Sequence, residues 1–252
     1  MTAALPAGFL PVLTVHEISD VDSPWCLPPT TFTALAQWLA DHGYTTLTMT
    51  DLAHHYTGEH PAPGPAVALT FDDGRSGVYR HARAVLAEHG MRATVYPVAG
   101  WARGVPLPPH EAYSTAMNLT ELRALHDDGH DLGYHTATHT CLRTLTDTEI
   151  RHDITTSRDQ LADDLGIGLR HFSYPYGHHD QRVEHLVNHH GEFDTVVTNT
   201  RGLQPDPRCH PRISLKKGLH AQNFPTLFTS ESWRPGAPAP CTHTTPEPPE
   251  AR

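Results

Sequence analysis

The chain has 252 residues, with 28 acidic against 18 basic side chains and a formal net charge of -10, which argues against a nucleic-acid partner. A hydrophobic fraction of 38% is enough for a buried core, and no apolar run approaches the roughly 18 residues of a membrane span. Cys26, Cys141, Cys209 and Cys241 form no Cys-x-x-Cys pair, so neither a zinc ribbon nor a disulfide framework is indicated. The start of the chain shows no basic n-region and no long apolar h-region, and a cytoplasmic protein with free thiols is the expectation.

In chain order, short apolar strands alternate with amphipathic helices. Leu10 to His16 reads as a strand, and Thr31 to His42 as a helix with Phe32, Leu35, Ala36 and Leu39 on one stripe and Gly43 as its stop. Thr46 to Met49 is a second strand, and a short helix covers Asp51 to Tyr56. Pro61 to Pro65 links to a β-branched, continuously apolar strand, Val67 to Phe71. A helix over Val78 to His89 precedes a strand at Ala93 to Val98. Gly100 to Ser114 is a Pro-rich insert that could cover a site or act as a strap. A helix capped by Asn118 or Thr120 runs to His126, followed by a strand at Leu132 to Tyr134. Asp147 to Leu165 reads as one long helix, His171 to Tyr174 as a strand, Gln181 to His190 as a helix. Strands at Thr195 to Thr198 and Arg212 to Leu215 complete the series. This is an α/β layout with a largely parallel sheet and seven or eight strand–helix units, close to the count of a closed β/α barrel. From Arg234 onward the chain is rich in Pro and Thr, so residues 1–233 are expected as one domain and 234–252 as a disordered tail.

Asp72-Asp73-Gly74 ends the Val67–Phe71 strand. Two carboxylates crowded there repel unless a cation sits beside them, and the pattern is otherwise that of a plain turn. The deciding context is a second cluster. With 22 histidines, the chain holds three His-x-x-x-His pairs, His126/His130, His135/His139 and His185/His189, so spacing alone selects nothing. Only His135/His139 directly follows a strand, where β/α barrels carry their chemistry. One helical turn there would point both imidazoles the same way. With one of the two aspartates they make a His₂Asp set that leaves positions open for water and substrate, as in catalytic zinc sites. The other aspartate is then free to take a proton from the water.

Thr70-Phe71-Asp72-Asp73-Gly74 followed by His135-Thr136-Ala137-Thr138-His139 resembles the polysaccharide deacetylase family, also described by its NodB homology domain. The resemblance extends from about Leu10 to Leu215. It implies a distorted (β/α) barrel of about seven strands, with a divalent metal held by Asp73, His135 and His139. Zinc is the first choice for that metal, cobalt or nickel the alternatives. It further implies Asp72 as general base, and Pro175-Tyr176 as a wall of the substrate groove whose Tyr176 backbone N–H stabilises the oxyanion. The implied substrate is an N-acyl, chiefly N-acetyl, amino sugar or related small metabolite or oligosaccharide, with no nucleic-acid or membrane partner.

Two positions depart from the family pattern. Ser173 stands where an arginine usually partners the base, and Arg212 is the candidate to reach the base instead. The family's late L-x-H, which supplies the general acid, has no clear match; Leu215-Lys216-Lys217 lies in its place and His220 is a weak substitute. His16, at the end of the first strand, is a candidate for the pocket rim. Alternative readings are hydrolysis of another C–N bond in a cyclic imide or ureide, a 2-His-1-carboxylate iron oxygenase, and a non-catalytic carbohydrate-binding relative. The second aspartate counts against the last two.

Overall fold

The computed structural model describes residues 4–204 and 206–235. The tail expected over 234–252 lies outside the described residues from position 236 onward. Among the described residues the strands are β1 (Val12–Val15), β2 (Glu17–Ile18), β3 (Cys26–Leu27), β4 (Thr45–Leu47), β5 (Ala66–Phe71), β6 (Thr94–Val95), β7 (Asp131–Leu132), β8 (His171–Ser173), β9 (Thr195–Val197) and β10 (Ile213–Ser214).

β5 is the centre of the main sheet, and all six of its residues are buried, which is why it is apolar at every position but Thr70. One edge carries β1 in parallel, from Val12↔Ala68 to Val15↔Phe71. The other edge is shared: β4 pairs with its first half, through Thr45↔Ala66 to Leu47↔Ala68, and β6 with its end, through Thr70↔Thr94 and Phe71↔Val95. β7 continues beyond β6, and β10 lies on the far side of β1, both in parallel. β8 and β9 form a separate parallel pair. Single parallel bridges at Tyr134↔Phe172 and Val197↔His210 connect this pair to its neighbours. Followed strand to strand, the parallel contacts run from β1 through β5, β6, β7, β8 and β9 to His210, and return to β1 by way of β10.

Helices make the crossovers, and their starts are set by short polar side chains. Thr48 with Asp51, Asn118 with Glu121 and Thr146 with Glu149 form reciprocal capping boxes, and the Asp180 carboxylate accepts from Val183 N–H. The helices expected over 78–89 and 147–165 are both present, but each contains a π-helical turn, at Val78–Ala82 and Asp153–Ser157. The second of these turns carries Asp153 beneath the histidine loop, a placement typical of π-turns near functional sites. Two elements lack any periodic signal: the β2–β3 pair, whose strands have two residues each, and a 3₁₀ helix at Ala221–Phe228. The latter packs on the helix Pro29–Asp41, where Trp38 stacks on Phe228 at 5.5 Å.

Candidate active site

The carboxyl ends of the strands converge on one buried cluster. At the end of β5, Asp72 is still tied to the sheet, its N–H donating to the Val15 carbonyl at 3.0 Å. Asp73 then takes a left-handed backbone, φ 68°, and Gly74 follows at φ 69°, where a Cβ would sit 2.9 Å from Pro97 Cα. Aspartate tolerates that conformation better than most residues, and only glycine fits after it. The turn gives the two adjacent carboxylates different partners.

Asp72 is held by Arg212. Nη1 donates to Oδ1 at 2.8 Å and Nη2 to Oδ2 at 2.6 Å, a bidentate pair with both side chains essentially inaccessible. The Ser173 hydroxyl also donates to Oδ2, at 3.2 Å, and Arg212 Nη2 reaches the Ser173 and Asn199 oxygens at 2.9 and 2.8 Å. Burial opposes ionisation of Asp72, but Arg212 and then His135 outweigh it and hold the carboxyl below its ordinary range. Arg212, the residue before β10, thus makes the contact with Asp72 that was expected of it in place of an arginine at Ser173.

Asp73 faces the histidines. Its Oδ1 lies 3.4 Å from His135 Nε2 and 3.3 Å from His139 Nε2, and this buried oxygen has no hydrogen-bond partner. The three donor atoms lie within 4.8 Å of one another. Burial again opposes the charged form, and His139, His135 and Arg75 together hold the carboxyl well below the usual carboxylate range. His135 Nδ1–H donates to the Ser173 carbonyl at 2.7 Å, which orients the ring with Nε2 facing the cluster.

The helical turn expected to align the two histidines is absent. Residues 135–139 form a bend in which Thr136 and His139 are both left-handed, at φ 66° and 59°. The loop is pinned instead of helical: His139 N–H donates to Thr136 Oγ1 at 3.0 Å, Ala137 N–H to the Asp153 carboxylate at 3.1 Å, and Gly100 N–H to the Ala137 carbonyl at 2.8 Å.

The residues around this cluster are drawn from distant segments. His16 is buried, its Nδ1 lacks a hydrogen-bond partner, and its ring lies 4.8 Å from Trp25. Burial lowers its pKa, against the pull of Asp73 and Asp72. Tyr176 is half-buried and left-handed at φ 60°, with its ring 4.5 Å from that of His139. His220 is exposed and is not among the cluster's contacts. Two residues that the motifs did not flag complete the wall. Arg75 Nε donates to Asp73 Oδ2 at 3.1 Å, and its guanidinium also holds Glu111 through the main-chain carbonyl at 2.6 Å and a short contact to Oε2. Glu111 Oε1 lies 3.4 Å from His139 Nδ1. Arg75 follows directly on Asp-Asp-Gly, so its position was a signal; Glu111 sits in the Pro-rich insert, where spacing carries none.

Likeness to known proteins extends across most of the chain. The polysaccharide deacetylase family model matches residues 59–192. YxkH of Bacillus subtilis (strain 168), a protein named after the polysaccharide deacetylases, is 30% identical over 223 residues, covering 88% of this chain and 76% of its own. Among solved structures, the Streptococcus pyogenes deacetylase PplD, in complex with acetate, superposes with a TM-score of 0.76 at 18% identity, covering 87% of this chain and 98% of that one. IcaB from Ammonifex degensii gives a TM-score of 0.76 at 22% identity, over 92% of this chain and 99% of that one. At such identities these two attest the fold alone. The family model and the Bacillus relative go further: the chain belongs to the polysaccharide deacetylase family, hydrolases acting on the carbon–nitrogen bonds of acetylated polysaccharides.

Proposed function

We propose that the chain is a metal-dependent deacetylase that removes the acetyl group from the nitrogen of an amino sugar. The observation that carries this reading is the division between neighbouring carboxylates: Asp73 Oδ1 is buried and unpartnered between two imidazole nitrogens, while Asp72 is clamped apart from it by Arg212. An orphaned buried carboxylate oxygen facing two imidazole nitrogens is a donor set that fits a divalent cation. Asp73, His135 and His139 would hold it, zinc by donor type, with cobalt or nickel accepted by the same set. When bound, such a cation polarises the acetyl carbonyl and lowers the pKa of water.

The chain's own groups supply the rest. Asp72, kept ionised beside Arg212, takes the proton of the attacking water. Its Oδ1 is the less encumbered oxygen, since Oδ2 accepts from both Arg212 and Ser173. His16, buried with an unpartnered Nδ1, is the group that passes to the leaving amine the proton that Asp72 takes from the water. The Tyr176 N–H, set by a left-handed turn, steadies the oxyanion as the carbonyl becomes tetrahedral. The circuit of parallel contacts supports a distorted (β/α) barrel of about seven strands as the scaffold, with these groups at its carboxyl end.

The test combines metal analysis with acetate release from N-acetylated sugars, from monomer to oligomer. The wild type is expected to carry about one divalent ion per chain. Asp73→Ala should lose the ion, whereas Asp72→Asn should keep it and lose turnover about 10²- to 10⁴-fold. A metal-free, fully active wild type would sink the triad reading, and undiminished turnover in Asp72→Asn would sink the base.

A further inference from the structure

Arg75 and Glu111 close a ring with two of the three cluster residues. Arg75 Nε donates to Asp73 Oδ2 at 3.1 Å, and its two terminal nitrogens hold the Glu111 carbonyl, at 2.6 Å, and carboxylate. Glu111 Oε1 stands 3.4 Å from His139 Nδ1, and His139 Nε2 returns to Asp73 Oδ1 at 3.3 Å. All four side chains are buried. The guanidinium is sandwiched between the rings of Tyr113, 4.4 Å from its centroid, and Trp101, at 4.9 Å. Glu111 ends a 3₁₀ turn, Pro109–Glu111, on the insert. That insert is laced back onto the aspartate turn: Met117 N–H donates to the Gly74 carbonyl and Ser76 N–H to the Thr115 carbonyl, both at 2.8 Å.

We infer that Arg75 and Glu111 are positioning residues of the metal site: Arg75 occupies Asp73 Oδ2 so that only Oδ1 is left to bind, and Glu111 selects the tautomer of His139 whose Nε2 can ligate. This rests on the triad reading above. An imidazole ligates only through the nitrogen without a proton, so something must hold the proton on the other nitrogen. For His135 a main-chain carbonyl does this. For His139 the facing acceptor is the Glu111 carboxylate delivered by the insert, which stands 3.4 Å from an Nδ1 that has no hydrogen-bond partner as it stands; closing that gap would fix the proton on Nδ1 and make the imidazole a more basic ligand. A buried glutamate beside Asp73 would be costly alone, and Arg75 is the countercharge that both share. With Arg212 on Asp72, three carboxylates face two guanidiniums, an excess of one carboxylate that suits a cation. The insert is thus part of the metal site rather than a cover over it.

Glu111→Gln separates this from a strap that merely holds structure. An amide has one accepting and one donating end. If its NH₂ faces His139, the ring must move its proton to Nε2; if its oxygen does, the NH₂ confronts Arg75. Competition with a chromophoric chelator should show zinc affinity weakened about 10- to 100-fold. In metal-free protein above pH 7, ¹⁵N NMR should find His139 as the Nδ1–H tautomer in the wild type and a mixture including Nε2–H in the variant. His135 should be unchanged in both. Glu111→Asp, which keeps the charge near Arg75 but withdraws the carboxylate from His139, should lose affinity likewise and guards against a misfolded Glu111→Gln. Unchanged affinity and tautomer with only a lowered thermal midpoint would overturn the inference, as would an Nε2–H His139 in the wild type. A wild type that takes up no zinc overturns the triad reading instead, and the tautomer measurement is unaffected by that result.

Discussion

His16 follows directly on β1, buried against Trp25, with an unpartnered Nδ1 and with Asp73 and Asp72 as its electrostatic neighbours. If it protonates the leaving amine, its importance must scale with how badly the leaving group needs a proton. His16→Gln is expected to reduce turnover of an N-acetyl amino sugar about 10²- to 10³-fold, and turnover of an aryl acetate ester, whose phenolate leaves unaided, far less. Equal losses on both substrates, measured by acetate release, would remove His16 from the proton path. At this scale the sequence was legible where chemistry is contiguous. Asp72-Asp73-Gly74 and His135/His139 each lie within five residues, so chain geometry alone keeps their members together. Arg212 was legible only as an arginine near the last strand, because 140 positions separate it from Asp72. Arg75 with Glu111 was not legible, since the path of the insert decides that they meet.

The secondary elements were read with similar unevenness. β5 announced itself because both of its faces are buried, leaving no polar alternation to confuse the pattern. The π-turns at Val78–Ala82 and Asp153–Ser157 did not, because one extra residue in a turn barely disturbs the apolar period. The first is entered from Gly77, whose helical φ of -63° needs no glycine. The need is for space: a Cβ there would lie 1.5 Å from Glu17 Oε1 and 2.3 Å from the Ile18 carbonyl of β2. Gly77→Ala should therefore destabilise by about 3 kcal/mol or more, because the backbone of β2 must move. Gly58→Ala, at φ 79° with nothing within 4 Å of the new atom, should cost only about 1 kcal/mol. Urea midpoints of the two variants measure the contrast; similar values would mean that β2 yields easily.

For the whole molecule, two buried ionisable groups pull stability in opposite directions. His210 donates from Nδ1 to the Pro211 carbonyl and accepts from Tyr56 at Nε2, both at 3.0 Å, and burial pushes its pKa down to about 4. Burial pushes the Glu17 carboxyl up to about 7, against the Ile18 N–H and Arg75. From pH 6.5 down to 4 the unfolded chain binds the histidine proton more readily than the folded one, so this group withdraws stability as pH falls. From pH 4.5 up to 7 the folded chain retains a glutamic proton that the unfolded one has released, so stability is withdrawn as pH rises. Each slope approaches about 1.4 kcal/mol per pH unit inside its window, and between pH 5 and 6.5 the two nearly cancel. Glu17→Gln should expose the acid slope relative to the wild type, and His210→Gln the alkaline one, in denaturation series over that range. Parallel profiles for all three proteins would show that these groups titrate freely.

The clamp on Asp72 also has a consequence for the order in which the fold can assemble. Its guanidinium is carried by the segment entering β10, which docks beside β1, whereas Asp72 ends the central strand less than a third of the way along the chain. Before residue 212 is in place, Asp72 must either stay in contact with water or take up a proton, since burying it ionised and unpaired would cost several kcal/mol. The ionised, clamped state of Asp72 is thus available only once β10 has docked on β1, so that no partially synthesised chain presents a finished active site.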